Sequence, residues 1–191
     1  MKKFKLKDEP QSLIELAIRM AIERLVKKAP EGVISNCFER ASREVVVKRF
    51  SCPTPEENVR VVMRAYALCP VETIQGMIAE SKKNGIFNQE YAADGIPCTP
   101  IEAAIRLAMV GVIEKFTERS AENAFESACK ELSEASEKGI NLVAPEALRD
   151  SGMKKTLQSY VVSPCQVITV IGIFSWLGKI FRDKEWTTDS D

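Results

Sequence analysis

Apolar residues along this chain recur at intervals of three and four almost throughout, the spacing that lines one face of an α-helix. Ile14, Ala17, Ile18, Ala21, Ile22 and Leu25 follow it, and Ile101, Ala104, Ile105, Ala108, Met109 and Val112 follow it again. Leu16 and Met20 carry apolar character to the opposite side, which predicts a central helix buried around most of its circumference. A second stripe runs through Ile34, Cys37, Phe38, Ala41 and Val45, and its counterpart through Ala121, Ala124, Phe125, Ala128 and Leu132. Helix starts carry capping-box spacing at Ser12…Glu15, Asn36…Glu39, Thr99…Glu102 and Asn123…Glu126, while Thr54-Pro55 and Ser163-Pro164 open two further helices. Asn84-Gly85 and Gly139 mark helix ends, and Ser151-Gly152 marks a break. β-Branched runs at Val45–Val47 and Val167–Ile171 are the strand-like alternative.

The doubled stripes belong to an internal duplication. Residues 10–44 align with 97–131 at a constant offset of 87, with 14 identities in 35 pairs, against roughly 2 expected from average residue usage. Tyr66-Ala-Leu-Cys-Pro70-Val-Glu-Thr-Ile74 then matches Tyr160-Val-Val-Ser-Pro164-Cys-Gln-Val-Ile168 at an offset of 94. The expected organisation is all-α: two tandem four-helix units, 10–86 and 97–182, forming a pseudo-two-fold helical bundle. A connector spans 87–96, a basic tail 1–9 and an acidic tail 183–191. Such an arrangement is a fused form of an isologous homodimer, and each unit alone is near the size at which a core is marginal.

Composition narrows the chemistry. The 191 residues hold 27 basic and 27 acidic side chains and no histidine. A balanced charge lacks the broad electrostatic footprint of a nucleic-acid binder, and the missing histidine removes histidine triads and histidine-ligated metals. The element around Pro164 resembles the turn of a DNA-reading helix, but Val167, Ile168, Val170, Ile171, Ile173 and Phe174 cannot read phosphates or base edges. None of the six cysteines forms a C-x-x-C pair, and Cys37, Cys69 and Cys129 align with Ala124, Ser163 and Ser42. That interchange is what small buried positions show. Reduced thiols in a cytoplasmic protein are expected, with no secretory signal, no metal, no cofactor and no nucleic-acid partner.

Two features remain after the caps and stripes are assigned. Most of the repeated acids, Glu15 and Glu102 among them, fall at capping positions. Arg19 and Glu44 do not, nor do their counterparts Arg106 and Glu131. A hairpin of the first two helices, turning near residues 31–32, places Arg19 across from Glu44. The same hairpin turning near 118–119 places Arg106 across from Glu131. Two inter-helix ion pairs are therefore expected, acting as register pins or, with Tyr66 and Tyr160 nearby, as polar pockets. No catalytic residue is assigned.

The second feature is the last helix, where the copies disagree. The first unit carries Glu72, Gln75, Glu80, Lys82 and Lys83 there, but the second reads VITVIGIFSWLGKIF. Ile173, Phe174, Trp176, Leu177, Phe181 and Trp186 are the candidate interaction face, with aromatic and aliphatic character typical of an interface core. The function expected from the sequence is a non-enzymatic helical module that holds a protein partner or a second copy of itself through this helix. Two alternatives stand beside it: a membrane-associated protein anchored by residues 161–181, and a helical ligand-binding protein or enzyme using Arg19, Glu44 and Tyr66, or Arg106, Glu131 and Tyr160, around a polar pocket.

Overall fold

The computed structural model describes residues 8–10, 12–45, 55–83, 100–135, 151–164 and 167. Among them there are seven helices and no strand: α1 (Leu13–Lys28), α2 (Val33–Val45), α3 (Glu56–Leu68), α4 (Pro70–Lys83), α5 (Pro100–Glu114), α6 (Glu118–Ala135) and α7 (Met153–Val162). Buried side chains from all seven join one hydrophobic cluster. The candidate face of the last helix, Ile173, Phe174, Trp176, Leu177, Phe181 and Trp186, lies outside the described residues.

α1 begins where Ser12 accepts a hydrogen bond from the Glu15 backbone N–H at 3.1 Å, as the capping spacing predicts. Its buried residues run nearly round the helix: Glu15, Ala17, Ile18, Arg19, Ala21, Ile22, Leu25 and Val26. At its far end Arg60 of α3 donates to the carbonyls of Val26 and Ala29 at 3.0 and 2.9 Å. These are among the last carbonyls of a helix, which have no partner within it. Lys154 of α7 makes the equivalent tie to the Glu114 carbonyl at the end of α5, at 3.0 Å. Gly32 turns the chain between α1 and α2 at φ +79°, a region a Cβ disfavours, and Glu56 Oε2 holds its N–H at 2.8 Å.

Two caps move relative to the sequence reading. α2 starts at Val33 and α6 at Glu118, so Asn36…Glu39 and Asn123…Glu126 are interior. For α6 the capping side chain is Thr117, which accepts from the Ser120 N–H at 3.2 Å. The second bend accordingly falls just before residue 118 rather than after it.

The expected hairpin of the first two helices gives way to a different packing. α1 packs chiefly on α6 and α3, and α2 packs chiefly on α5. α5 in turn packs on α7, α6 on α7, and α1 also touches α5. Helices one and two of each half therefore lean on the other half. At the α2–α5 crossing the Cys37 side chain packs against Gly111: a Cβ there would stand 3.2 Å from Cys37 Sγ. At the α1–α6 crossing, Arg24 lies over α6 and donates to the Ala124 carbonyl at 3.3 Å. The gain is area, because a helix with apolar residues on nearly all sides needs neighbours on nearly all sides.

Candidate functional site

The chemistry-bearing side chains of the described core gather in two buried clusters. In the first, Arg19 Nη2 stands 2.7 Å from Glu15 Oε1 on the same helix. Arg19 Nε donates to the Tyr160 hydroxyl at 2.9 Å, and that hydroxyl donates to Glu15 Oε1 at 2.8 Å. Arg19 Nη1 donates to the Leu68 carbonyl at 2.9 Å and also to the Asp8 carbonyl. In the second, Arg106 Nη2 stands 2.7 Å from Glu102 Oε1. Arg106 Nε donates to the Tyr66 hydroxyl at 2.6 Å, and Tyr66 donates to Glu102 Oε1 at 2.8 Å. Arg106 Nη1 donates to the Val162 carbonyl at 3.1 Å. All six side chains are buried.

An ion pair this deep is sustained only by good geometry and by hydrogen bonds to the remaining donors and acceptors. Both conditions hold. The charges of Arg19 and Glu15 cancel on adjacent helical turns, tyrosine closes each triangle, and the Leu68 and Val162 carbonyls come from the C-terminal ends of α3 and α7. Among the described residues no buried side-chain nitrogen or oxygen lacks a hydrogen-bond partner. Arg106 also lies over the Tyr66 ring, 5.9 Å from its centroid, within the range of a cation–π contact.

The ionisation states follow from this setting. Burial raises the Tyr160 pKa far above its ordinary value, and the neighbouring Glu15 carboxylate adds to the rise against the opposing pull of Arg19. Burial does the same at Tyr66, with Arg106 opposing and Glu102 reinforcing. Burial works against the charge on Arg19 and Arg106, but the partner tyrosine and glutamate outweigh it and hold both guanidinium groups above their ordinary value. Each tyrosine thus keeps its proton, each arginine keeps its charge, and neither can serve as a base near neutrality.

The partners differ from those the sequence suggests. Arg19 meets Glu15 rather than Glu44, and Arg106 meets Glu102 rather than Glu131. Glu44 lies half-exposed at the end of α2, 3.2 Å from Arg40. Glu131 is exposed on α6 and pairs with Arg24 of α1, across the halves. The tyrosines are exchanged as well: Tyr160 completes the Arg19 cluster and Tyr66 the Arg106 cluster. The physical reason is the cross-half packing of α1 and α5, which turns the inner faces carrying Glu15–Arg19 and Glu102–Arg106 toward α7 and α3. Sequence reasoning assigned Glu15 and Glu102 to helix capping. The available signal was their four-residue spacing to Arg19 and Arg106, kept in both copies.

Between the clusters, Tyr66 and Tyr160 border an apolar gap of about 20 Å³, room for about one water-sized body and for no metabolite. Among the described residues, no group of three or more cysteine, aspartate or glutamate side chains is disposed to hold a metal ion. No helix of the described residues is long and apolar enough to cross a membrane. Cys37, Cys69 and Cys129 are free thiols. Compared with protein-family models, curated proteins and solved structures, the chain matches none, so any functional reading rests on these residues alone.

Proposed function

We propose that this chain is a non-enzymatic helical interaction module, built from two copies of one helical unit that exchange partners about a pseudo-two-fold axis. The observation that carries the reading is the closure of the two Arg–Glu–Tyr clusters. Their polar atoms are satisfied by one another and by backbone carbonyls of Asp8, Leu68 and Val162. The gap of about 20 Å³ between them is too small for a reactant, so they act as locks and the surface is left to do the binding.

The copying is supported by the way equivalent residues fall. Arg19 and Arg106, Glu15 and Glu102, and Tyr160 and Tyr66 hold the same positions in the two clusters. Leu68 and Val162, which supply the carbonyls, are related by the same offset of 94 as the tyrosines. The gap between the clusters is lined by four matched pairs: Ile22 with Met109, Tyr66 with Tyr160, Ala67 with Val161, and Pro70 with Pro164. A true symmetric dimer has such pairs around its axis because the same patch occurs on both subunits.

We assign the binding face to the apolar segment VITVIGIFSWLGKIF, which the sequence spacing reads as a helix, with Trp176, Leu177 and Phe181 as anchors of a kind that dominates interface energetics. Light scattering and sizing of the full chain in plain buffer test this. The expected result is concentration-dependent association that Trp176→Glu with Leu177→Glu abolishes while the far-ultraviolet spectrum stays helical. A chain that remains monomeric in plain buffer and binds no protein overturns the reading. Recovery only with detergent transfers it to the membrane-anchored alternative.

A further inference from the structure

The contacts that join the two halves are contacts a second copy of this chain offers in identical form. α1 packs on α6 and α2 on α5, and the locks are crossed as well, Arg19 with Tyr160 and Arg106 with Tyr66. Neither half completes its own Arg–Glu–Tyr triangle without a tyrosine from the other. Between the end of α4 and the start of α5 lie 16 residues, 84–99. We infer that the half-to-half interface is also the site at which a second copy binds, giving an exchanged dimer in which α1 and α2 of one chain pack on α5 and α6 of the other. The inference rests on the cross-half reading above and adds the partner, a second copy of the same chain.

Exchange keeps the buried bonds of both locks, since every Arg–Glu–Tyr triangle of the described residues re-forms between chains. What decides between closed monomer and exchanged dimer is the concentration at which a half finds its complement. Covalent connection of the two halves within one chain raises the concentration at which each meets the other, on the order of millimolar for a short connection. Closure therefore prevails in dilute solution and exchange is captured when the chain folds in concentrated solution. The product then persists, because release requires the shared core to open.

A single substitution reads out which chain supplies each half. A Cβ at Gly111 would lie 3.5 Å from Cys37 Cβ, within the separation a disulfide requires. The full chain carrying Gly111→Cys is unfolded under reducing conditions, refolded at about 10 μM, far below the millimolar range of intrachain encounter, or at about 1 mM, within that range, oxidised, and mapped by mass spectrometry. The expected result after dilute folding is a disulfide from Cys37 to the thiol introduced on α5 of the same chain. After concentrated folding, the same disulfide joins Cys37 of one chain to the introduced thiol of another in a covalent dimer. Concentrated samples that show only the intrachain bond, or a dimer lacking this particular interchain bond, overturn the exchange while leaving the cross-half packing intact. Folded protein that never forms the bond at either concentration overturns the packing itself.

A second measurement needs no substitution. Dimer isolated from concentrated refolding of the wild-type chain is expected to revert to monomer over hours after dilution. Reversion within the time of a sizing run identifies a surface dimer and sinks the exchange.

Discussion

At Tyr160 one hydroxyl accepts from Arg19 Nε at 2.9 Å and donates to Glu15 Oε1 at 2.8 Å, so its proton is part of the lock. Because burial and the adjacent carboxylate raise the pKa, the folded chain holds this proton more tightly than the unfolded chain does. The linkage sign follows: the contribution to stability is complete below the unfolded tyrosine value of about 10. It is lost as pH rises from there through the higher folded value. Tyr66 behaves alike. Denaturant unfolding between pH 7 and 11 is expected to show a fall above about pH 10 that is shallower in the Tyr66→Phe/Tyr160→Phe variant. At neutral pH each replacement costs about 1–3 kcal/mol, the penalty for leaving buried partners short of a hydrogen bond. An alkaline limb unchanged by the double replacement would remove the tyrosine protons from the account.

The helices themselves owe their ends to side chains from other elements. Arg60 of α3 closes α1 through the carbonyls of Val26 and Ala29 and is braced by Glu56 at 2.8 Å. Glu56 in turn secures the Gly32 N–H and, at 2.7 Å, the Ser35 hydroxyl at the start of α2. Arg60→Met keeps the stem and removes the donors. It is expected to lower stability by about 1.5–3 kcal/mol, the range for hydrogen bonds to a charged group, measured as a shift in the urea midpoint. A shift below about 0.5 kcal/mol, the level of an ordinary surface substitution, would mean the α1 terminus needs no such closure. Much at this scale was legible in sequence: the stripes of α1, α2, α5 and α6, the Ser12 cap and a bend near residues 31–32. The starts of α2 and α6 were misplaced. Asn36 and Asn123 have capping spacing, yet the preceding Val33 to Ser35 and Glu118 to Glu122 are already helical. A side chain's capacity to cap does not require that a helix begin there.

Across the whole molecule the crossed locks make the halves interdependent. Arg19→Met removes the guanidinium that neutralises the buried Glu15 carboxylate and is expected to destabilise the chain by about 3–5 kcal/mol. The loss should appear in a single unfolding transition, because the same core serves both halves. Adding Glu15→Leu and Tyr160→Phe removes the other two polar side chains of the triangle and should recover part of it, the Leu68 and Asp8 carbonyls still lacking their Arg19 donor. Two separate transitions, with α5 and α6 keeping their amide protection while α1 exchanges, would show that the halves stand separately.

The sequence by itself determined the helical class, the principal core stripes, the alignment of one half with the other, and the short list on which both arginines and both tyrosines appear. Those properties reside in local spacing and composition, where a period of 3.6 residues and a cap are written in consecutive positions. Only the tertiary structure decided that Glu15 and Glu102, rather than Glu44 and Glu131, neutralise the arginines, and that each arginine takes its tyrosine from the opposite half. A glutamate three residues after a cap and four before an arginine suits either partner. The choice depends on which way the helix face is turned, and that is set by burying α1 against α6 and α5 against α2. Arg19 and Tyr160 are separated by 141 residues, and no local pattern records a contact over that distance.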